Sequence, residues 1–417
     1  MNNATAFINK HLVPGLTALS DNPLLSAIRA GMVAVVPLTI IGGLFTAICF
    51  LPINGWEQTI ARWLPLLKVP ITATFGLLAV FVCFAIGYDL GQRFKQEPII
   101  SASMSTLVFL MLQIDPKGDE QTLSMNGLGS AGIFTAILVA LCSVSVQKFF
   151  TDRNLVIKLP ASVPPVVYET FLSLVPLTVL VLCFWLIRFV LGFDVNGAVQ
   201  KVFEPLVFAL NTLPGILVYA FLVTLLWSVG INGDNTLDAV VAPVFLQYLA
   251  ANVGAASQGQ PPPYVTALGF FTSFVNVGGT GATIALALIM LRSREPGYRK
   301  VSRLSLPTQI FQINEPIMFG FPIVLNPLFM IPYILNALLL TAGTYLLMSW
   351  HVIQKPFVNV PWTTPPIIGH YLATGGDWKA AVWGVVSIVL AMVVYYPFAK
   401  AAERQRLEAE AKGQARE

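Results

Sequence analysis

Glu315 stands in FQINEPIMFGFPIVLNP, with Asn314 before it, Pro316 after it and apolar residues on both sides. In a membrane an ionised carboxylate costs about 3 kcal/mol on insertion scales, so one placed in so apolar a stretch needs a reason. Pro316 lacks a backbone donor and disfavours helix at the residue before it, which predicts a break in the chain at the carboxylate. Gly320, Pro322 and Pro327 extend the irregularity. Broken helices in transporters point backbone groups at a substrate. A carboxylate there, beside Asn314, would supply directional acceptors for the hydroxyls of a sugar. The alternative is a structural carboxylate that holds the turn through its own hydrogen bonds.

Two further stretches share this character. WSVGINGDN covers 227–235, and SFVNVGGTG covers 273–281. Glycine and asparagine at this density in apolar surroundings mean unwound backbone or very close helix packing. Asn232 and Asn276 are their candidate substrate-binding amides, and Asp234 and Asp238 follow GING. GGTG has neither the lysine nor the preceding strand of a phosphate-cradling loop. Asp89, Glu97, Arg188 and Glu204 read as interfacial or loop charges. The four cysteines (Cys49, Cys83, Cys142, Cys183) are single, without a CxxC pair, and read as small buried hydrophobes. His11, His351 and His370 are too scattered for a metal cluster, and no metal or cofactor is expected.

The elements that must position these groups follow from composition. Of 417 residues, 56% are hydrophobic and 11% charged, with a mean hydropathy of +0.75. So few ionised side chains cannot cover a water-facing globule. Soluble enzymes, nucleic-acid binders and secreted disulfide scaffolds are poor fits, and the fold class is an all-α polytopic membrane protein. Runs of roughly 20 apolar residues mark spans. Ten are present: Ala30–Leu51, Ile71–Leu90, Pro98–Ile114, Gly129–Val146, Phe171–Leu191, Pro214–Val229, Leu237–Ala250, Val265–Leu291, Asn326–Trp350 and Ala380–Phe398. The stretch Leu306–Leu325 is expected to enter and leave on one side. With a cytoplasmic N-terminus, seventeen of the 24 basic residues then lie inside, the largest groups being Arg292–Arg303 and the tail from Lys400. Lys148–Thr170 mixes charges with apolar residues and prolines and is expected along the cytoplasmic interface. No cleavable signal peptide is apparent.

QINEPIMFGFPIVLNP, GINGDN, FFTSFVNVGGTGAT, VPWTTPPIIGHYLATGGDW and the early block SDNPLLSAIRAGMVAVVPLTIIGG together resemble the membrane (IIC) component of the lactose/cellobiose family of bacterial sugar phosphotransferase systems. The resemblance covers nearly the whole chain. It implies a homodimer of about ten transmembrane helices per protomer, with two re-entrant hairpins, in the bacterial cytoplasmic membrane. Residues 1–170 would build the dimer interface, 171–400 the transport half, and 401–417 a cytoplasmic tail. It also implies uptake of β-linked disaccharides such as cellobiose, diacetylchitobiose or lactose. Phosphate would come from a separate cytoplasmic IIB protein carrying a phosphocysteine, with a IIA protein behind it, so the chain would form part of a sugar phosphotransferase. Both termini would be cytoplasmic. Carried over to this sequence, Glu315 hydrogen-bonds the sugar near the hydroxyl to be phosphorylated, Asn314 helps shape the site, and Trp362 stacks on a pyranose ring. The family's GIHG histidine falls on Asn232, which has a donor and an acceptor but does not titrate.

The expected mechanism is group translocation. Sugar binds between broken segments, moves inward with the second half, and is phosphorylated at the cytoplasmic face. Phosphoryl transfer is largely positioning and charge stabilisation, so this chain need only hold the acceptor hydroxyl correctly. Two alternatives share the sequence features: an ion-coupled secondary transporter with Glu315 as proton carrier, and a sugar sensor that binds without uptake.

Overall fold

The computed structural model describes residues 22–49, 55–117, 120–157, 159, 160, 163, 165–321 and 323–414. His11 and Lys10 lie outside the described residues, as do Pro322, Lys158 and the last three residues of the tail. Asn22 caps the first helix, its side chain accepting from the N–H groups of Leu24 (2.9 Å) and Leu25 (3.3 Å). Pro23 takes the first helical position, where its missing N–H costs nothing. The chain then runs through α1 (Pro23–Ala34), α2 (Val36–Cys49), α3 (Leu64–Phe75), α4 (Leu78–Arg93) and α5 (Pro98–Leu112). An antiparallel hairpin of β1 (Ile114–Lys117) and β2 (Glu120–Leu123) follows, then α6 (Ile133–Asp152) and α7 (Pro165–Trp185). Next come α8 (Val195–Leu210), α9 (Leu213–Ser228), α10 (Gly233–Ala256), α11 (Ile284–Met290) and α12 (Pro296–Ile310). The chain closes with α13 (Glu315–Gly320), α14 (Pro327–Ser349), α15 (Ile368–Ala373) and α16 (Trp378–Gln414).

Among the described residues, seven helical stretches are long and apolar enough to cross a bilayer: Pro23–Cys49, Leu64–Arg93, Ser130–Asp152, Thr170–Val190, Gly233–Ala256, Pro327–Ser349 and Trp378–Ala409. α8 and α9 meet that test only as a pair bent by 82°, and α5 is a shorter apolar helix. Helices satisfy their own backbone groups, which is what a lipid environment demands. α4 is the hub of the first half of the chain, packed against α1, α5 and α6, while α9, α14, α16 and α11 pack together in the second. α1 reaches across to α10.

The structure departs from the sequence expectation in several places. Val265–Leu291 is not a continuous span. Residues 260–269 are irregular, Phe270–Val275 form a π-turn, 276–283 are turns, and only α11, seven residues long, is regular helix. Its backbone is satisfied from elsewhere in the protein. The Asn252 side chain donates to Tyr264 O and Pro356 O and accepts from Tyr264 N, all at 2.8 Å, and Asn211 Oδ1 accepts from Val265 N at 3.0 Å. Unwound backbone enclosed by protein can be as apolar in composition as a spanning helix, so hydropathy does not separate the two. Lys148–Thr170 is divided: α6 continues to Asp152 and α7 begins at Pro165. Cys49 and Cys83 are buried, but Cys142 and Cys183 are exposed, because the outer face of a spanning helix is as apolar as its core. The hairpin was not foreseen; it is held to the end of α7 by an ion pair from Arg188 to Asp115 at 2.7 Å. Of the other charges, Asp89 pairs with Arg93 in the last turn of α4, Glu97 precedes α5, and Glu204 is exposed on α8.

Candidate functional site

Pro316 does what its chemistry requires. α12 ends at Ile310, residues 311–314 are non-helical, and α13 begins at Glu315 with proline as its second residue. The turn is not held by the carboxylate. Among the described residues no hydrogen bond reaches the Glu315 side chain, which is exposed. Its buried neighbour Asn314 does the holding, donating from Nδ2 to Thr280 O at 2.9 Å. Gly279 lets that contact form. Its φ is +103°, and a Cβ there would lie 2.5 Å from Asn314 Cβ.

The N-terminus of α10 meets the same loop. Asn232 is the cap of this helix, accepting from Asn235 N–H through Oδ1 at 2.9 Å. Asp234, in the first turn, accepts on Oδ2 from Trp227 Nε1 (2.8 Å) and Thr280 Oγ1 (2.9 Å). Thr280 is therefore the hinge of the site: its hydroxyl reaches Asp234 and its carbonyl is reached by Asn314. Asp234 lies within electrostatic reach of Glu315. One turn further along α10, Asp238 is within reach of Arg29 from α1.

Gln312 completes the assembly. Its Oε1 accepts from Gly278 N (2.8 Å) and Gly279 N (3.2 Å), and its Nε2 donates to Thr272 O (3.0 Å) and Thr364 O (3.3 Å). The last of these bonds draws in the loop that bears Trp362, whose ring is exposed. Asn276 opens the glycine loop, its backbone N–H donating to Phe271 O (2.8 Å) and its carbonyl accepting from Gly279 N (3.0 Å). The structure thus gathers Asn232, Asn276, Asn314 and Glu315 around one loop and ties the Trp362 segment to it. Thr280 and Gln312 escaped the sequence reading, although both lie within the quoted motifs. Their only local signal is a polar side chain in an apolar run.

A sequence profile described as "Phosphotransferase system, EIIC" matches residues 29–337. The chain belongs to the phosphotransferase system EIIC family. It is 33% identical to the lichenan permease IIC component of Bacillus subtilis (strain 168), over 98% of this chain and 96% of that protein. Identity is also 33% to the cellobiose-specific EIIC component of Geobacillus stearothermophilus, over 96% and 94%. The crystal structure of the transporter ChbC, the IIC component of the N,N'-diacetylchitobiose-specific phosphotransferase system, superposes with a TM-score of 0.90 at 34% identity, covering 98% of this chain and 99% of ChbC. As an EIIC protein the chain is a membrane-spanning sugar permease that works with IIA and IIB components. Family membership favours transport coupled to phosphorylation over the ion-coupled alternative.

Proposed function

We propose that this EIIC protein takes up a β-linked disaccharide or a related glycoside and holds it at Glu315 for phosphorylation by a separate cytoplasmic IIB protein. Relatives named for cellobiose, lichenan and diacetylchitobiose support the substrate class. The observation that carries the site is the contrast within one motif. Asn314 and Gln312 are buried and bonded, whereas the carboxylate between the two helices is exposed and takes no protein donor among the described residues. Such an acceptor is left for a ligand hydroxyl. Asn314 shapes the site, Asn232 and Asn276 line it, and Trp362 offers an aromatic face to a sugar ring.

In this reading the protein is a homodimer with about ten spans per protomer, the segments around residues 265–291 and 306–325 re-entering from one side. Both termini are cytoplasmic, as the distribution of basic residues supports. Residues 1–170 form the scaffold half that faces the second protomer and lipid, 171–400 the transport half, and 401–417 a cytoplasmic tail. The test is uptake of labelled cellobiose and N,N'-diacetylchitobiose into cells that carry this protein with its soluble partners. Intracellular sugar is expected as a phosphate ester. Recovery of unmodified sugar would overturn phosphorylation-coupled uptake, and binding without uptake would make the protein a sensor.

A further inference from the structure

We infer that Gln312 is a positioning residue of the sugar site. It sets the Trp362-bearing loop at a fixed distance from the glycine loop and Glu315, and thereby controls how tightly sugar is held. The inference rests on the proposed reading of the site.

A primary amide has two N–H donors and two acceptor lone pairs. All four are used here, each on main chain and on segments distant in sequence. The oxygen faces two N–H groups, of Gly278 and Gly279; the nitrogen faces two carbonyls, of Thr272 and Thr364. The side chain is 7% exposed, so these bonds form away from bulk water, where an unmade one costs most. Gln312 also has a φ of +68°, a left-handed conformation uncommon outside glycine and asparagine, and such strain persists only where the surroundings over-determine it. The residue lies three positions before Glu315. One side chain thus joins the π-turn, the glycine loop and the loop of Thr364 to the break that presents the carboxylate.

The oxygen–nitrogen polarity of the amide makes the inference separable from general packing. Gln312→Glu keeps the acceptor that holds Gly278 and Gly279. It replaces the donor with an oxygen facing two carbonyls, so only the π-turn and the Trp362 loop are released. Gln312→Met keeps approximate shape and makes none of the four bonds, without adding a charge.

The experiment uses full-length protein purified in detergent, with cellobiose and N,N'-diacetylchitobiose as probes. Equilibrium binding is measured alongside backbone hydrogen exchange. For Gln312→Glu, affinity is expected to fall about tenfold or more. Exchange should speed up in residues 361–364 and stay protected at 278–279. Gln312→Met should loosen both stretches and bind more weakly still. In uptake assays the Glu variant should raise KM while the maximal rate at saturating sugar is largely kept, a split that global destabilisation does not produce. Wild-type affinity in the Glu variant would overturn the inference, as would weaker binding with unchanged exchange at 361–364. Should the Glu variant not fold, the Met variant carries the same test, since a purely structural role would lower its melting temperature and leave the affinity of the folded protein intact. Failure of wild-type protein to bind either sugar would count against the substrate class, while the exchange pattern would still report on the pinning.

Discussion

Asn232 uses its side-chain oxygen to cap α10, a task for which asparagine is among the best residues. A side chain so engaged has a structural use whatever it offers a sugar. Asp234 is likewise bonded, through one oxygen, to Trp227 and Thr280. Glu315 differs from both in being exposed and unbonded to protein among the described residues. Hydrogen bonds to an ionised acceptor are roughly twice as strong as neutral ones, so the carboxylate should matter to a hydroxyl ligand more than an amide of the same shape. Glu315→Gln is therefore expected to weaken cellobiose binding by about tenfold or more. Melting temperature should stay close to wild type, because no hydrogen bond of the fold is lost. Isothermal titration and a thermal melt on the same preparation decide it. Unchanged affinity would remove Glu315 from the site, and a large drop in melting temperature would return it to a structural role.

At the scale of elements, the site is made where helices stop: before α13, before α10, and in the turns between the π-turn and α11. The break at Pro316 and the unwound glycine loop could be read from the sequence, since proline and glycine act on the backbone locally. Which groups satisfy that backbone could not. The partners of Gln312 lie 33 to 52 positions away and those of Asn252 up to 104, so no local spacing announces them. The span expected at Val265–Leu291 failed for the same reason, its carbonyls and amides being met by distant asparagines. Gly279 tests the loop as a unit. Alanine there would have to adopt φ +103° and would press on Asn314 at 2.5 Å. Gly279→Ala should cost about 2 kcal/mol in stability and abolish measurable sugar binding by displacing Asn314. Gly254→Ala, in the last turns of α10 with nothing within 4 Å of the added methyl, should be neutral or stabilising. Equal losses in the two variants would mean that the loop is not special.

For the whole molecule, transport by movement of one half against the other requires that some contacts between them change. One contact ties the ends of the chain together: Asn359 Nδ2 donates to Thr39 Oγ1 of α2 at 2.7 Å, across 320 positions. Both residues are buried, and Gly43 admits the loop so closely that a Cβ there would sit 2.9 Å from Asn359 N. The Asn359 loop continues into Trp362 and Thr364, so this bond joins the first half of the chain to the segment that Gln312 holds at the site. A single buried hydrogen bond contributes about 1 kcal/mol, little enough to break and remake in each cycle. Joining Thr39→Cys and Asn359→Cys by a short reducible thiol cross-linker, with the four native cysteines replaced, should therefore stop uptake while leaving sugar binding to the detergent-purified protein. Reduction should restore uptake. Full uptake in the cross-linked state would mean that α2 and this loop move together, placing the moving boundary on the other side of α2. Loss of binding as well as uptake would mean that the site itself closes through this contact.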